Sequence, residues 1–385
     1  MGVNCVLIEI LYGFKLARRN VIFLMFTILG IVGIVLYVFT PLSALPYVKS
    51  IDQLLKQPPM EWVSQVFPSS IPFTCAYLFN ILQIFFVTVL VINDTRLTSM
   101  DTMDALNVHP QGNSESAAGN LVGKVLAFSM VNVLSFAFCG FLDFLFYPKV
   151  FNIGYYLFYW LTLNLPTLIF CLGLSTLVSR LTSNQGLSVI FLAVILGVMT
   201  LPGSVWLNGV FDPLATGIPN MFSDITGHVN LGSYLTQRVF ILSFGMGLVV
   251  LAVIPYPRIH NNAQAAFRLA RVTLFPLLFA GGCAVAYTCD FQSVSNEREA
   301  FRETYSKYTP GKVLKIVNNQ LYLKETGNGG ISVTSRMTVE NKDDEELPLI
   351  LYLNPGLVIS SVTVDGANVK YQRELQVLLA DCKVS

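Results

Sequence analysis

Seven stretches of this chain are apolar and long enough to cross a bilayer as helices: Val21–Phe39, Ile71–Ile92, Val125–Tyr147, Tyr155–Val178, Leu187–Leu207, Val239–Tyr256 and Val272–Cys289. A hydrocarbon core of about 30 Å needs about 20 residues of helix. In lipid a helix must also satisfy its own backbone polar groups, which leaves few other ways to fold. The last stretch is short and contains Pro276, but Phe275–Tyr287 carries no charge, so it reads as a span rather than a re-entrant segment. Pro166 and Pro202 predict kinks in the fourth and fifth spans.

The charges divide the chain in two. Residues 1–289 hold 13 of the 24 Lys/Arg and 10 of the 23 Asp/Glu, and the remaining 11 and 13 fall in residues 290–385. The first part is thus suited to lipid and the last quarter to water. This excludes a single soluble globule and a disordered chain. A net charge of +1 with no basic stripe argues against a nucleic-acid partner. Seven cysteines without a C-x-x-C pair argue against a metal or redox framework, and no cofactor is expected. The polar tail has only Cys382 and cannot close a disulfide within itself.

Orientation follows from Lys and Arg in short loops. With the N-terminus inside, the inner face collects Lys15, Arg18, Arg19, Arg96, Lys124, Arg180, Arg258, Arg268 and Arg271, against Lys49, Lys56, Lys149 and Arg238 outside. Nine against four predicts a cytoplasmic N-terminus, and seven spans then put the tail on the far side. Met1–Arg19 has no cleavable signal-peptide pattern. Val3–Ala17 instead reads as an amphipathic interfacial helix, apolar at Val6, Leu7, Ile10, Leu11 and Phe14 and basic at Lys15, Arg18 and Arg19. The plain alternative is an extension of the first span.

The inner loop Asn93–Gly123 has internal order. Thr98 and Asp101 form a helix-start pattern, and Asp101 suits the positive end of a helix dipole. Met100, Met103 and Leu106 recur at spacing three, and Pro110 ends the helix. A two-turn helix under the membrane with a Met-rich knob suits docking into a partner's groove. It could equally be a helix that only tidies the loop.

These features together resemble an ATP-binding-cassette (ABC) exporter permease of the ABC-2 type. In that family the segment after the second span is similar to "D…T…D-x-L…P…GK", and this chain supplies Asp94, Thr102, Asp104, Leu106, Pro110, Gly123 and Lys124 in that order. The resemblance covers roughly Met1–Tyr256. It implies a coupling helix seated on an ABC ATPase subunit, with Met100, Asp101, Met103, Asp104, Leu106, His109, Pro110 and Lys124 as the coupling residues. It also implies a dimer, with a second permease copy or a homologue. No P-loop is present: the nearest match has Ala118 in the first Gly position and Val125 where Ser or Thr is needed. An ATPase would therefore be a separate chain.

The outer loop Asn208–Thr236 is rich in Gly and Pro. The resemblance implies short re-entrant helices here, and composition alone allows a solvated loop. Asp143 is the one acid inside a span. It could line a polar path, although its place near the outer interface favours a solvated carboxylate. Asn80, Gln83, Asn132 and Asn164 read as interhelical hydrogen-bonders rather than substrate ligands.

In the tail, Phe291–Tyr308 reads as a helical stalk with Glu299/Arg302 and Glu303/Lys307 at pairing distance. After Pro310-Gly311 the period becomes two. Ile331–Val339, Leu349–Leu353 and Val358–Val364 read as strands, and Asp365-Gly366 turns the chain into Val369–Tyr371. The stretch from Val333 to Glu374 resembles the N-terminal β-domain of gluzincin aminopeptidases, which occurs fused to bacterial permeases. The catalytic H-E-x-x-H is missing: His109, His228 and His260 are unpaired in sequence. No peptidase activity is expected. Cys382–Ser385 reads as a poor strand end, as if the domain stopped early.

The expected fold is an all-α polytopic membrane protein of about seven transmembrane helices with a small C-terminal all-β domain. The expected divisions are a permease core at 1–256, a basic loop and seventh span at 257–289, a stalk at 290–312 and a partial β-domain at 313–385. The expected role is the membrane-spanning permease subunit of an ABC exporter in the cytoplasmic membrane, with no enzymatic activity of its own and the lipid bilayer as its surroundings. The alternative is a seven-span sensor or anchor whose outer β-domain binds a ligand.

Overall fold

The computed structural model describes residues 2–38, 69–100, 113–182, 184–200, 208–217, 222, 227–228, 230–253, 263–308, 314–326, 330–342 and 346–384. The chain divides into two compact units, Met1–Phe291 and Gln292–Ser385.

The first unit is helical. Helix α1 (Gly2–Arg19) meets α2 (Val21–Gly33) at a 67° bend. Asn20 makes the corner: its side chain accepts from the Ile22 N–H at 2.9 Å and caps α2. A π turn, Ile34–Val38, extends α2. There follow α3 (Ser70–Met100), α4 (Asn113–Phe146), α5 (Ile153–Thr182), α6 (Gln185–Thr200), α7 (Leu231–Val253) and α8 (Ala263–Tyr308), whose last turns belong to the second unit.

Five of these helices are long and apolar enough to cross a membrane, or six if the bent pair α1–α2 is one span. The chain is therefore a polytopic helical protein of membrane character, and among the described residues five or six of the expected seven spans reach spanning length. Over the described residues α6 is a 16-residue apolar helix, about 24 Å long and short of a bilayer core. Pro202 lies outside the described residues. Where a kink is expected at Pro166, the helix carries a π turn, Trp160–Asn164, directly upstream of the residue that has no N–H to donate.

Aromatic side chains fill the centre of the bundle. Phe26 of α2 meets Phe79 of α3 edge-on at 5.8 Å, and Phe23 meets Phe128 of α4 at 5.2 Å. Elsewhere the backbones themselves touch. A Cβ added to Gly173 of α5 would lie 2.8 Å from the Gly245 carbonyl oxygen of α7, so this crossing tolerates no side chain.

The second unit holds three small antiparallel sheets: β1 (Lys315–Thr326) with β2 (Gly330–Glu340), β3 (Leu347–Tyr352) beside β7 (Val377–Val384) beside β6 (Tyr371–Glu374), and β4 (Thr363–Val364) with β5 (Ala367–Asn368). Asp365 (φ 50°) and Gly366 (φ 81°) make the β4–β5 turn expected from their sequence. Leu349, Leu378 and Ala380 form the small core.

Three expectations change here. Val358–Val364 is not one strand: Val358 is 94% exposed and only Thr363–Val364 pair. Cys382–Val384 is not a frayed end but part of β7, the central strand of its sheet. Lys307 pairs with Glu374 of β6, at 2.8 Å, rather than with Glu303. Glu374 also accepts from the Tyr308 hydroxyl, and Gln376 donates to the Phe301 carbonyl, so the end of α8 is tied to the β6–β7 hairpin. The Lys307 ammonium first, and the Tyr308 hydroxyl second, hold the Glu374 carboxyl below its ordinary range.

Candidate functional site

The loop singled out by the sequence is framed by two helices, and the structure shows how its ends are held. Lys124 of α4 and Asp94 of α3 form an ion pair with side chains only 7% and 13% exposed. The pair joins the last turns of α3 to α4 and fixes the separation of the two ends of the intervening segment. Lys124 was expected in the coupling surface. It is instead buried and committed to this bracket, where a lone charge would be costly. Of the other expected coupling residues, Met100 ends α3. Thr98 lies within α3, so no new helix starts there. Asp101, Met103, Asp104, Leu106, His109 and Pro110 lie outside the described residues.

A second fastening was not anticipated. Helix α1 lies against the first turns of α4 with backbones in contact. A Cβ on Gly123 would come within 2.5 Å of the Ile10 carbonyl oxygen and 2.7 Å of the Phe14 nitrogen. One on Gly13 would come within 2.8 Å of the Asn120 backbone, and one on Gly119 within 2.6 Å of the Glu9 Cβ. Gly119-x-x-x-Gly123 is a small-residue packing pattern legible in the sequence. The packing also turns α1 around its axis relative to the expected orientation. Gly13 and Ala17 are buried and Ile10 and Phe14 partly so, while Leu7, Ile8, Leu11 and Tyr12 face outward.

Across the middle of the bundle runs a polar chain. Asn80 donates to the Leu163 carbonyl at 3.1 Å and to Thr167 Oγ1 at 3.3 Å. Gln83 donates to Asn80 Oδ1 at 3.0 Å, and Asn132 donates to Gln83 Oε1 at 2.6 Å. Asn164 donates to the Ala76 carbonyl at 3.3 Å. All five side chains are buried, and they link α3, α4 and the π turn of α5. Wide turns of this kind release carbonyls for such bonds. The Oδ1 atoms of Asn132 and Asn164 have no partner among the described residues.

The segment Asn208–Gly217 is neither a helix nor a solvated loop. It is a string of turns with Gly209, Val210 and Asp212–Ala215 buried. The Asp212 carboxylate accepts from the Leu214 and Thr216 N–H groups at 2.9 and 2.6 Å and from the Thr216 hydroxyl at 2.6 Å. Three helices reach into the segment. Thr167 of α5 donates to the Pro213 carbonyl at 2.7 Å, and Tyr287 of α8 to the Asn208 carbonyl at 2.6 Å. From α7, Gln237 Nε2 donates to the carbonyls of Gly209, Val210 and Asp212, and Arg238 to those of Asp212 and Pro213. Arg238, counted from sequence as an outer-face charge, is 2% exposed and wholly engaged in this knot.

Asp143 is not solvated. It is 3% exposed and accepts from the Tyr156 hydroxyl at 2.8 Å, and its second oxygen has no partner among the described residues. His228 packs among Phe158, Phe222 and Tyr234, with ring centroids 5.0–6.1 Å away. Burial lowers its basicity. His109 and His260 lie outside the described residues. No group of three His, Cys, Asp or Glu among the described residues could hold a metal ion.

No protein family, curated protein or solved structure matches this chain.

Proposed function

We propose that the chain is the membrane-spanning permease subunit of an ABC exporter, working as one half of a dimer above separate ATPase subunits. The observation that carries this reading is the bracket around residues 95–123. The Lys124–Asp94 pair and the Gly119/Gly123 seat of α1 make the flanks of that segment rigid. A push delivered to the loop would then move α1, α3 and α4 together rather than dissipate in a slack connection. The segment carries Met103 and Leu106 at a spacing suited to a partner's groove. The polar chain from Asn80 to Asn164 and the outer knot supply a bundle whose interior can rearrange by exchanging hydrogen bonds rather than by breaking an apolar core. Excluding buried Lys124 and Arg238 from the loop charges leaves eight basic residues on the inner face against three outside, which supports a cytoplasmic N-terminus. In this reading α6 completes a seventh crossing and the second unit is extracytoplasmic.

The test is co-purification of the detergent-solubilised chain with ABC ATPases encoded beside it. Met103→Asp with Leu106→Asp should abolish the association while the chain still folds. If the double variant retains the ATPase, the loop is not the coupling element. If no ATPase associates with the unaltered chain, the transport reading fails.

A further inference from the structure

Among the described residues the outward face of α1 has no protein neighbour, and its chemistry is divided along its length. Leu7, Ile8, Leu11 and Tyr12 are each at least 50% exposed in the first half. Lys15, Arg18 and Arg19 are exposed in the last turns, beside the corner at Asn20. None of the three cations has an ion-pair partner among the described residues; Arg18 only rests over the Phe14 ring at 5.6 Å. The 67° bend swings α1 away from the axis of the apolar helix α2, as a helix lying along a membrane surface beside a span would require. The exposed apolar surface of α2, at Val21, Leu24, Met25 and Ile28, starts at the same corner.

We propose that α1 is a foot that binds anionic phospholipid: Leu7, Ile8, Leu11 and Tyr12 enter the acyl boundary, and Lys15, Arg18 and Arg19 hold headgroup phosphates at the Asn20 corner. A helix with an apolar outer face next to three unpaired cations complements a negative lipid surface. Phosphate accepts from Arg in a planar, two-pronged geometry, which two adjacent arginines at a helix end can supply. Cations in a last turn also favour the helix dipole, but that effect is indifferent to which lipid lies outside. The proposal rests on α2 being a membrane span and is independent of transport. Because Gly13 is seated on α4, a lipid held by α1 acts on the helix that leads out of the 95–123 loop.

The full chain, with photoreactive benzoylphenylalanine at Leu11 and in a second preparation at Ile28, is reconstituted in mixed phosphatidylglycerol and phosphatidylcholine bilayers and irradiated. The Leu11 probe should capture lipid, with phosphatidylglycerol favoured by up to about a hundredfold at low salt, since each surface cation is worth roughly fivefold. The preference should shrink with added salt and vanish in Lys15→Gln/Arg18→Gln/Arg19→Gln. Equal capture of both lipids by the unaltered chain overturns the proposal. So does a preference that survives the triple substitution, or capture of protein instead of lipid at Leu11. Lipid capture at Ile28 but not at Leu11 overturns the foot alone, whereas capture at neither position removes the membrane reading on which it stands.

Discussion

At the scale of single residues, burial decides which charges matter. Lys124 and Asp94 are nearly dry, so removing one leaves the other stranded. Lys124→Met should lower stability by about 3 kcal/mol, and Lys124→Met with Asp94→Leu should restore most of it. Thermal unfolding in detergent checks both. In the second unit Leu375 sits at φ 50° in the two-residue turn between β6 and β7. A left-handed backbone disfavours a Cβ, so Leu375→Gly should raise stability by about 1 kcal/mol, measured as a shift in the unfolding of the β-unit. Glu374 titrates below its ordinary value in the folded state. Its contribution is therefore complete above the unfolded carboxylate range and is lost as pH falls through the folded value. Protection of the Leu375–Val377 amides, after correction for the intrinsic exchange rate, should fall only once the pH drops below the ordinary carboxylate range, and Glu374→Gln should remove that dependence. Lys124, Asp143 and Arg238 show what sequence cannot supply at this scale. Each was visible as a charge near a span end, but whether it faces solvent or a carbonyl cage depends on packing between distant segments.

At the scale of elements, helix positions were readable because a bilayer demands long apolar runs, and α2 through α5 and α7 all fall where those runs lie. Helix contacts were less readable. The α1–α4 seat depends on three glycines, two of them four residues apart, and hydropathy is blind to their alignment. Gly123→Leu should unseat α1, because its side chain would have to occupy the space of the Ile10 and Phe14 backbone. Trypsin should then cut at Lys15 or Arg18 faster than in the unaltered chain. Gly33→Leu, with open space around its Cβ position, should leave the digestion pattern unchanged. The hairpin β1–β2 escaped the sequence reading in its first half. Lys315–Thr326 mixes Asn318, Asn319 and Gln320 with apolar residues, and every position in β1 is exposed, so no burial pattern marks it.

At the scale of the whole molecule, the split between a lipid-suited part and a water-suited part was legible from charge density, and the chain does divide at Phe291. The sidedness of the second unit is a prediction. A reporter enzyme fused after Lys312 should be active outside the cytoplasm, and Cys382 should react only with thiol reagents added from that side. Labelling from the cytoplasm alone would reverse the topology.

The knot at Asn208–Gly217 has one more consequence. Arg238 and Gln237 share five contacts with backbone oxygens of a single stretch, so these bonds cannot be surrendered one at a time without leaving a guanidinium dry and unanswered. Loosening that end of the bundle must proceed as a concerted exchange, in which water enters as the carbonyls leave. The end behaves less like a hinge than like a cork: seated or drawn, with little occupancy between.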